Sequence, residues 1–383
     1  MSRPLDGVLV VGLEQAIAAP YCTRLLADLG ARIIKVERPE GDFARNYDTR
    51  ARGLSSHFVW TNRSKESLTL DLKQEADRAA LMSILEKADV FVQNLAPGAA
   101  DRLGLDPATL ARLNDRLITC SISGYGPGGP DSARKAYDLL VQAEAGFLSV
   151  TGTPDSMAKA GISVADIAAG VSAYNSILAA LLHRHRTGKG DHIEVSMLEA
   201  MAEWMGFPLY FALDDAAPPP RAGAGHATIF PYGPYATADG MVLFGLQNER
   251  EWSAFCANVL RDPALATDSR FAGNAARAAN RDAVNAHISS VFGQLTSAEA
   301  VKRLEAAGIA TGRINDMSGL WNHPQLAARQ RWRDFGSPAG PIPGLIPASG
   351  SSWEPRMDPV PALGEHTHAI LAEFGIQRKD DPE

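Results

Sequence analysis

Residues 7–13, GVLVVGL, are a short apolar run that ends where polar Glu14 and Gln15 begin. A run of this length without polar alternation predicts a strand covered on both faces, as in a parallel sheet. Residues 19–29 follow as a helix, with Pro20 early and Gly30 just past the end, the order that helix termini favour. Residues 32–37, RIIKVE, predict the second strand. The same alternation continues: strand 68–72, helix 74–87, strand 89–93, helix 106–113 after Asp106-Pro107, and strand 116–121. A helix over 137–149, a long helix from 166, a strand at 192–195 and a helix over 197–211 complete this half. Strands alternating with helices predict a doubly wound α/β domain.

The texture then changes. Residues 214–225, DDAAPPPRAGAG, read as a linker. Beyond it come strand-like runs within 227–246, helices at 249–259, 281–292 and 297–307, and a short strand at 311–314, together a smaller α+β unit. A second Pro/Gly stretch, 338–350, leads out of it, and one helix is expected at 365–374. The predicted organisation is a large α/β domain over 1–212, a linker over 213–226, a small domain over 227–330, and a linker with a C-terminal return to the large domain over 331–383.

The most informative stretch is 158–182, AKAGISVADIAAGVSAYNSILAALL. After Asp166 about sixteen residues carry no charge, which predicts a helix buried on every side. Asp166 stands at its N-terminal mouth among Ile162, Val164 and Ile167. It is either a helix cap, a common role for Asp at this place, or a nucleophilic carboxylate in apolar surroundings.

Composition narrows the function classes. The 383 residues are 45% hydrophobic and 21% charged, with a net charge of −7, which argues against a nucleic-acid or anionic-membrane partner. Three widely spaced cysteines give neither a disulfide framework nor a metal pattern. The first apolar run is too short for a signal peptide, and no uninterrupted apolar window reaches membrane-span length. A cytoplasmic protein is expected.

Much chemistry lacks its motif. The Gly-x-Gly-x-x-Gly fingerprint is missing after the first strand, so a dinucleotide site is not expected. His183, His185 and His192 lack zinc-ligand spacing, so no metal is expected. No Gly-x-Ser-x-Gly elbow occurs. His226, after Gly223-Ala224-Gly225, is a loop residue that could touch substrate or solvent. Lys35, Arg38, Arg45, Lys73, Arg102, Arg134 and Lys135 recur at strand ends or in the loops after them. In a parallel sheet those loops share one edge, where an anionic ligand would bind.

Several runs together resemble the class III CoA-transferases, the CaiB/BaiF family. They are PLDGVLVVG at 4–12, APYCTRLLADLGA at 19–31, IKVERP at 34–39, NLAPGAADRLG at 94–104, SGYGPGGP at 123–130, RTGKGDHIEVSM at 186–197 and LGEHT at 363–367. The resemblance implies an interlocked homodimer. Each chain would have a Rossmann-like CoA-binding domain built from both termini and a small domain between linkers. Coenzyme A or acyl-CoA would be a substrate, with no permanently bound cofactor. Asp166 matches the catalytic aspartate. Ile17, Ala18, Arg38, Leu70, Asp71, Leu72, Lys73, Asn94, Leu95, Arg102, Lys135 and Tyr137 match the CoA site, and Gln15, Asp138, Gly223, Gly225 and His226 are substrate candidates. The glycine flap of oxalate-using members is shortened to Gly223-Ala224-Gly225, which speaks against oxalate. The runs at 196–208 and 225–235 are most similar to the mesaconyl-CoA C1–C4 transferase branch, which implies a C4 or C5 dicarboxylic acid. The alternative on this fold is a 2-methylacyl-CoA racemase. Racemases carry a His-Asp pair where this chain reads Tyr137-Asp138, and tyrosine, with an ordinary pKa of about 10, is the weaker proton acceptor at neutral pH.

Overall fold

The computed structural model describes residues 2–348 and 350–377. It forms two compact units. The first takes residues up to 145, then 160–206, then from 326 onward; the second takes 146–159 and 207–325.

The first unit is built on a parallel six-stranded sheet. Its strands are β1 (Leu9–Leu13), β2 (Arg32–Glu37), β3 (Lys65–Thr69), β4 (Val90–Gln93), β5 (Ile118–Ser123) and β6 (His192–Ser196), in the order β3-β2-β1-β4-β5-β6. Their helices are α1 (Ala18–Asp28), α2 (Ser56–Asn62), α3 (Glu75–Leu85), α4 (Pro107–Leu113), α5 (Asp138–Glu144), α6 (Val164–Thr187) and α7 (Met197–Trp204). Val10, Val11, Ile34, Val90, Val92 and Ile118 are buried, as strands covered on both faces must be. The order runs outward from β1 on one side and from β4 on the other. That reversal opens a crevice at the carboxyl ends of β1 and β4.

The C-terminal return covers β3, the edge strand. Thr69 N–H donates to Thr367 Oγ1 (3.0 Å), Ser67 N–H to His366 Nδ1 (3.2 Å), and His366 N–H to the Ser67 carbonyl (3.0 Å). Ile370 and Leu371 of helix Thr367–Glu373 then join the core beside Leu68 and Leu70. Residues 349 and 378–383 of the expected return lie outside the described residues.

α6 departs from its expectation. It buries one stripe, Ala165, Ala168, Ala169, Gly170, Ala173, Ile177 and Ala180, while Asn175, Ala179 and Leu182 stay open to solvent. Small side chains let α6 lie close on α1: a Cβ on Gly170 would fall 2.7 Å from the Ala18 carbonyl oxygen. The same helix has the length and mean hydropathy (1.4) of a membrane span by composition. Counting uninterrupted apolar residues missed that.

Other expectations shift for local reasons. β3 begins at Lys65 rather than at 68, because the lysine is buried through ion pairing and its strand start is polar. The helix expected over 137–149 stops after Glu144, and Gly146 takes a left-handed conformation (φ 77°) before a new turn. The helix expected over 197–211 divides into α7 and Gly206–Phe211. Pro208, which has no N–H to donate, suits the first turn of the new helix. The 338–350 stretch contains strand Ile342–Leu345, paired with Trp332–Phe335. α2 was not anticipated.

The second unit has a three-stranded sheet in the order Thr311–Gly312, Met241–Gly245, Tyr232–Ala236. Its core is aromatic, with Phe244, Trp252, Phe255, Phe271 and Phe292.

Candidate active site

A cavity of about 480 Å³ opens at the crevice between β1 and β4. The segments after β1, β2, β4 and β5 contribute to its wall, together with the starts of α6 and α7. This is the edge to which an α/β sheet delivers its ligand loops.

The floor is the turn 14–18. Gln15 N–H donates to Asn94 Oδ1 (2.9 Å), and Asn94 Nδ2 donates to the Gln15 carbonyl (2.8 Å). Ala16 has a left-handed backbone (φ 61°), uncommon for a residue with a Cβ. Its N–H donates to Asp42 Oδ1 at 3.2 Å. Below the turn lies a buried charge network. Lys35 Nζ bonds Asp42 (2.9 Å) and the Glu14 carbonyl (3.2 Å), and Lys65 Nζ bonds Glu14 Oε1 (2.6 Å). Burial pushes the Lys65 amine down to about 8, against the pull of Glu14. Burial alone would raise Glu14, but Lys65 and Lys35 beside it hold it below its ordinary value. Such a network fixes backbone geometry, because each charge would be costly without its partner.

Asp166 is the third residue of α6 and is half-buried on the cavity wall. Its carboxyl accepts no hydrogen bond from the described residues, so it does not cap the helix. The cap comes from Asp138, whose Oδ1 accepts from the N–H groups of Ala165 (2.8 Å) and Asp166 (3.3 Å). Asp138 Oδ2 accepts from Gln142 Nε2 (2.6 Å), which holds the carboxylate in place. Burial first, and the Asp138 charge second, push the Asp166 carboxyl up to about 7. An unbonded carboxylate with raised basicity facing a cavity can act as a nucleophile.

Of the residues expected from sequence, Gln15, Ile17, Ala18, Asn94, Leu95, Lys135, Tyr137, Asp138 and Asp166 line this one cavity. Arg38, Leu70, Asp71, Leu72, Lys73 and Arg102 are not in its wall. They follow β2, β3 and β4 along the same sheet edge; Leu70 is buried, while Lys73 and Arg102 are exposed. Arg38 donates to the Gly41 carbonyl at 2.9 Å. Gly223, Gly225 and His226 belong to the second unit. There His226 Nδ1 accepts from the N–H groups of Thr228 (3.2 Å) and Ile229 (2.9 Å), and its ring stacks on Tyr232. That nitrogen is therefore committed to a turn.

Sequence reasoning missed Phe43, Tyr47 and His57, which also line the cavity. The signal was available: they lie between β2 and β3, hence at the same sheet edge. An imidazole on the wall bears on the racemase alternative. The charge acting on Asp166 is that of Asp138, with no histidine contributing.

The CoA-transferase family III model matches residues 5–367. The chain belongs to this family. It is 36% identical over 377 residues to the acetyl-CoA:oxalate CoA-transferase of Acetobacter aceti, covering 97% of this chain and 96% of that one. It is 35% identical to the succinate–glutarate CoA-transferase of Agrobacterium fabrum (99% and 98% covered) and 33% identical to the succinyl-CoA:mesaconate CoA-transferase of Haloarcula hispanica (97% and 96%). A CaiB/BaiF family protein from Brucella suis has the same fold, with a TM-score of 0.86 at 35% identity over 98% of this chain and all of that one.

Proposed function

We propose that this CoA-transferase moves CoA from an acyl-CoA to the carboxylate of a C4 or C5 dicarboxylic acid, through covalent intermediates on Asp166. The observation that carries this reading is the unbonded Asp166 carboxyl on the cavity wall, with its basicity raised to about 7. An Asp166 oxygen attacks the thioester carbonyl, and the C–S bond breaks to release CoA thiolate and leave a mixed anhydride. The thiolate attacks the aspartyl carbonyl, expels the donor acid as its carboxylate, and forms an aspartyl–CoA thioester. The acceptor carboxylate attacks that thioester and expels the thiolate. The thiolate then takes the new acyl group and frees Asp166. One thioester is exchanged for another, so no ATP is consumed. Splitting the exchange in this way replaces one difficult step with easier ones. Half-burial of the carboxyl limits hydrolysis of the anhydride.

The relatives named for succinate, glutarate and mesaconate support a dicarboxylic acid. In this reading Arg38, residues 70–73, Arg102 and Lys135 hold the nucleotide and pantetheine along the sheet edge. A second copy of the chain would cover exposed apolar side chains such as Tyr137 and Leu182. The test is a donor–acceptor matrix read by mass spectrometry: succinyl-, mesaconyl-, itaconyl- and acetyl-CoA against free dicarboxylic acids, with wild type and Asp166→Asn. Transfer should fall at least a thousandfold in the variant, and hydroxylamine should label Asp166 in the wild type during turnover. Near-normal transfer by Asp166→Asn refutes the mechanism.

A further inference from the structure

His57 is the second residue of α2 and lines the cavity that Asp166 lines. Its neighbours Phe58 and Val59 are buried, which anchors the helix. Its Nδ1 lies 3.5 Å from Asp48 Oδ2, and its ring meets the Tyr47 ring edge-on at 5.4 Å. Asp48 is itself fixed: Oδ1 accepts from the N–H groups of Arg50 (2.8 Å) and Ser56 (3.0 Å), and Oδ2 accepts from the Ser56 hydroxyl (2.7 Å). These bonds hold Asp48 well below the usual carboxylate range. A permanently ionised carboxylate beside one ring nitrogen favours a proton there. A ring that carries protons on both nitrogens turns one N–H toward Asp48 and leaves the Nε2–H for an anion. Nε2 has no partner among the described residues.

The other cations on the wall are differently placed. Arg134 is engaged by Asp131 (3.0 Å) and Glu144 (2.7 Å), and Lys135 is exposed on the loop that the family resemblance assigns to CoA. The reacting end of the cavity is negative, with Asp138 beside Asp166. A substrate with a second carboxylate needs donors away from that pair. Tyr47 senses the Asp166 charge: burial first, then Asp42 and Asp166, push its phenol up to about 12. His57 packs against Tyr47 from the side of Asp48. Tyr47, His57 and Asp166 thus line one cavity, with Asp48 behind His57.

We propose that His57, backed by Asp48, receives the second carboxylate of a dicarboxylic substrate, with the Tyr47 hydroxyl as an additional donor. This rests on the CoA-transfer reading and names the residue that makes the site select a diacid. Succinate and butyrate are the probes, because they differ by a carboxylate in place of a methyl group. The quantity read is the ratio of kcat/KM for succinate to kcat/KM for butyrate, with one common acyl-CoA donor.

A charge-assisted hydrogen bond implies that the wild type favours succinate and that His57→Phe lowers the ratio about ten- to a hundredfold, chiefly through KM for succinate. Asp48→Asn, which keeps the side-chain volume, lowers it in the same direction, and His57→Lys restores part of it. A merely structural role for His57 would not move this ratio. If both acids accept CoA and the ratio ignores both substitutions, or if the wild type shows no preference for succinate, the assignment is overturned while the transfer reading stands. If succinate is refused while another dicarboxylic acid of the donor–acceptor matrix accepts CoA, the ratio is read for that acid against the monoacid of equal length and decides in the same way. If no dicarboxylic acid accepts CoA from any donor, both readings fall. If the wild type instead exchanges the α-proton of a 2-methylacyl-CoA with deuterium and His57→Phe abolishes that exchange, His57 is a proton-transfer group and the assignment is overturned.

Discussion

Asp166→Asn keeps the shape of the side chain and deletes its ionisation. In the folded wild type the Asp166 carboxyl titrates at about 7 instead of its ordinary 3.8. Three units of difference correspond to about 4 kcal/mol between charged and neutral forms, an upper bound because the half-buried side chain is partly screened by water. The folded pKa is the raised one, so the folded state binds the proton more tightly than the unfolded chain. Stability from this group is complete below about pH 4 and is lost as pH rises to about 7. The neutral amide does not follow that course. The variant should therefore become progressively more stable than the wild type between about pH 4 and pH 7, and the gap should level off above that. Urea unfolding of both proteins at a series of pH values and constant ionic strength measures the gap, and subtraction removes the contributions of all unchanged groups. A gap that is independent of pH, or that narrows as pH rises, refutes the account of Asp166 as a carboxyl held out of water beside Asp138.

Asp138→Asn removes the negative neighbour of Asp166 while keeping an oxygen for the N–H groups of Ala165 and Asp166. The acid limb of kcat/KM, expected near pH 7 in the wild type, should move to lower pH, and a limb that stays in place would show that Asp138 does not act through its charge. Glu14→Gln leaves Lys35 and Lys65 buried without their shared carboxylate. It should cost about 3–5 kcal/mol in denaturant unfolding, and a loss below about 1 kcal/mol would mean that the lysines find other partners.

The sheet was legible in the sequence because its strands follow a simple rule. β1 and β4 are short, nearly continuous apolar runs, and β2 sets apolar residues around one buried lysine, Lys35; burial on both faces requires mostly apolar strands. β3 broke the rule through Lys65, whose ammonium is buried on Glu14, Asn62 and the Pro20 carbonyl. A buried lysine reads as a surface lysine until its partners are known, and Glu14 is fifty-one positions away. α6 failed in a different way. The count of apolar residues was right, but a face left open by one chain has the same composition as a face packed in a core.

The site divides along the same line. Asp166 stood out because a lone charge before a long uncharged helix is conspicuous, yet that pattern could not separate a cap from a nucleophile. The separation depends on Asp138, twenty-eight positions earlier, whose oxygen takes the helix N–H groups and leaves the Asp166 carboxyl without a bond. The wall formed by Tyr47 and His57 was silent because its segment has neither strand alternation nor a long helical period. Asp48 orders that segment by accepting from Arg50, Ser56 and the Ser56 hydroxyl, bonds that any aspartate in a polar loop could make. What made it readable was position alone: everything between β2 and β3 must reach the carboxyl edge of the sheet, where β1 delivers Gln15 and β4 delivers Asn94. Chemistry in this fold is thus best sought by asking which loops the strand order brings to the switch point, and only then which of their side chains lack a partner.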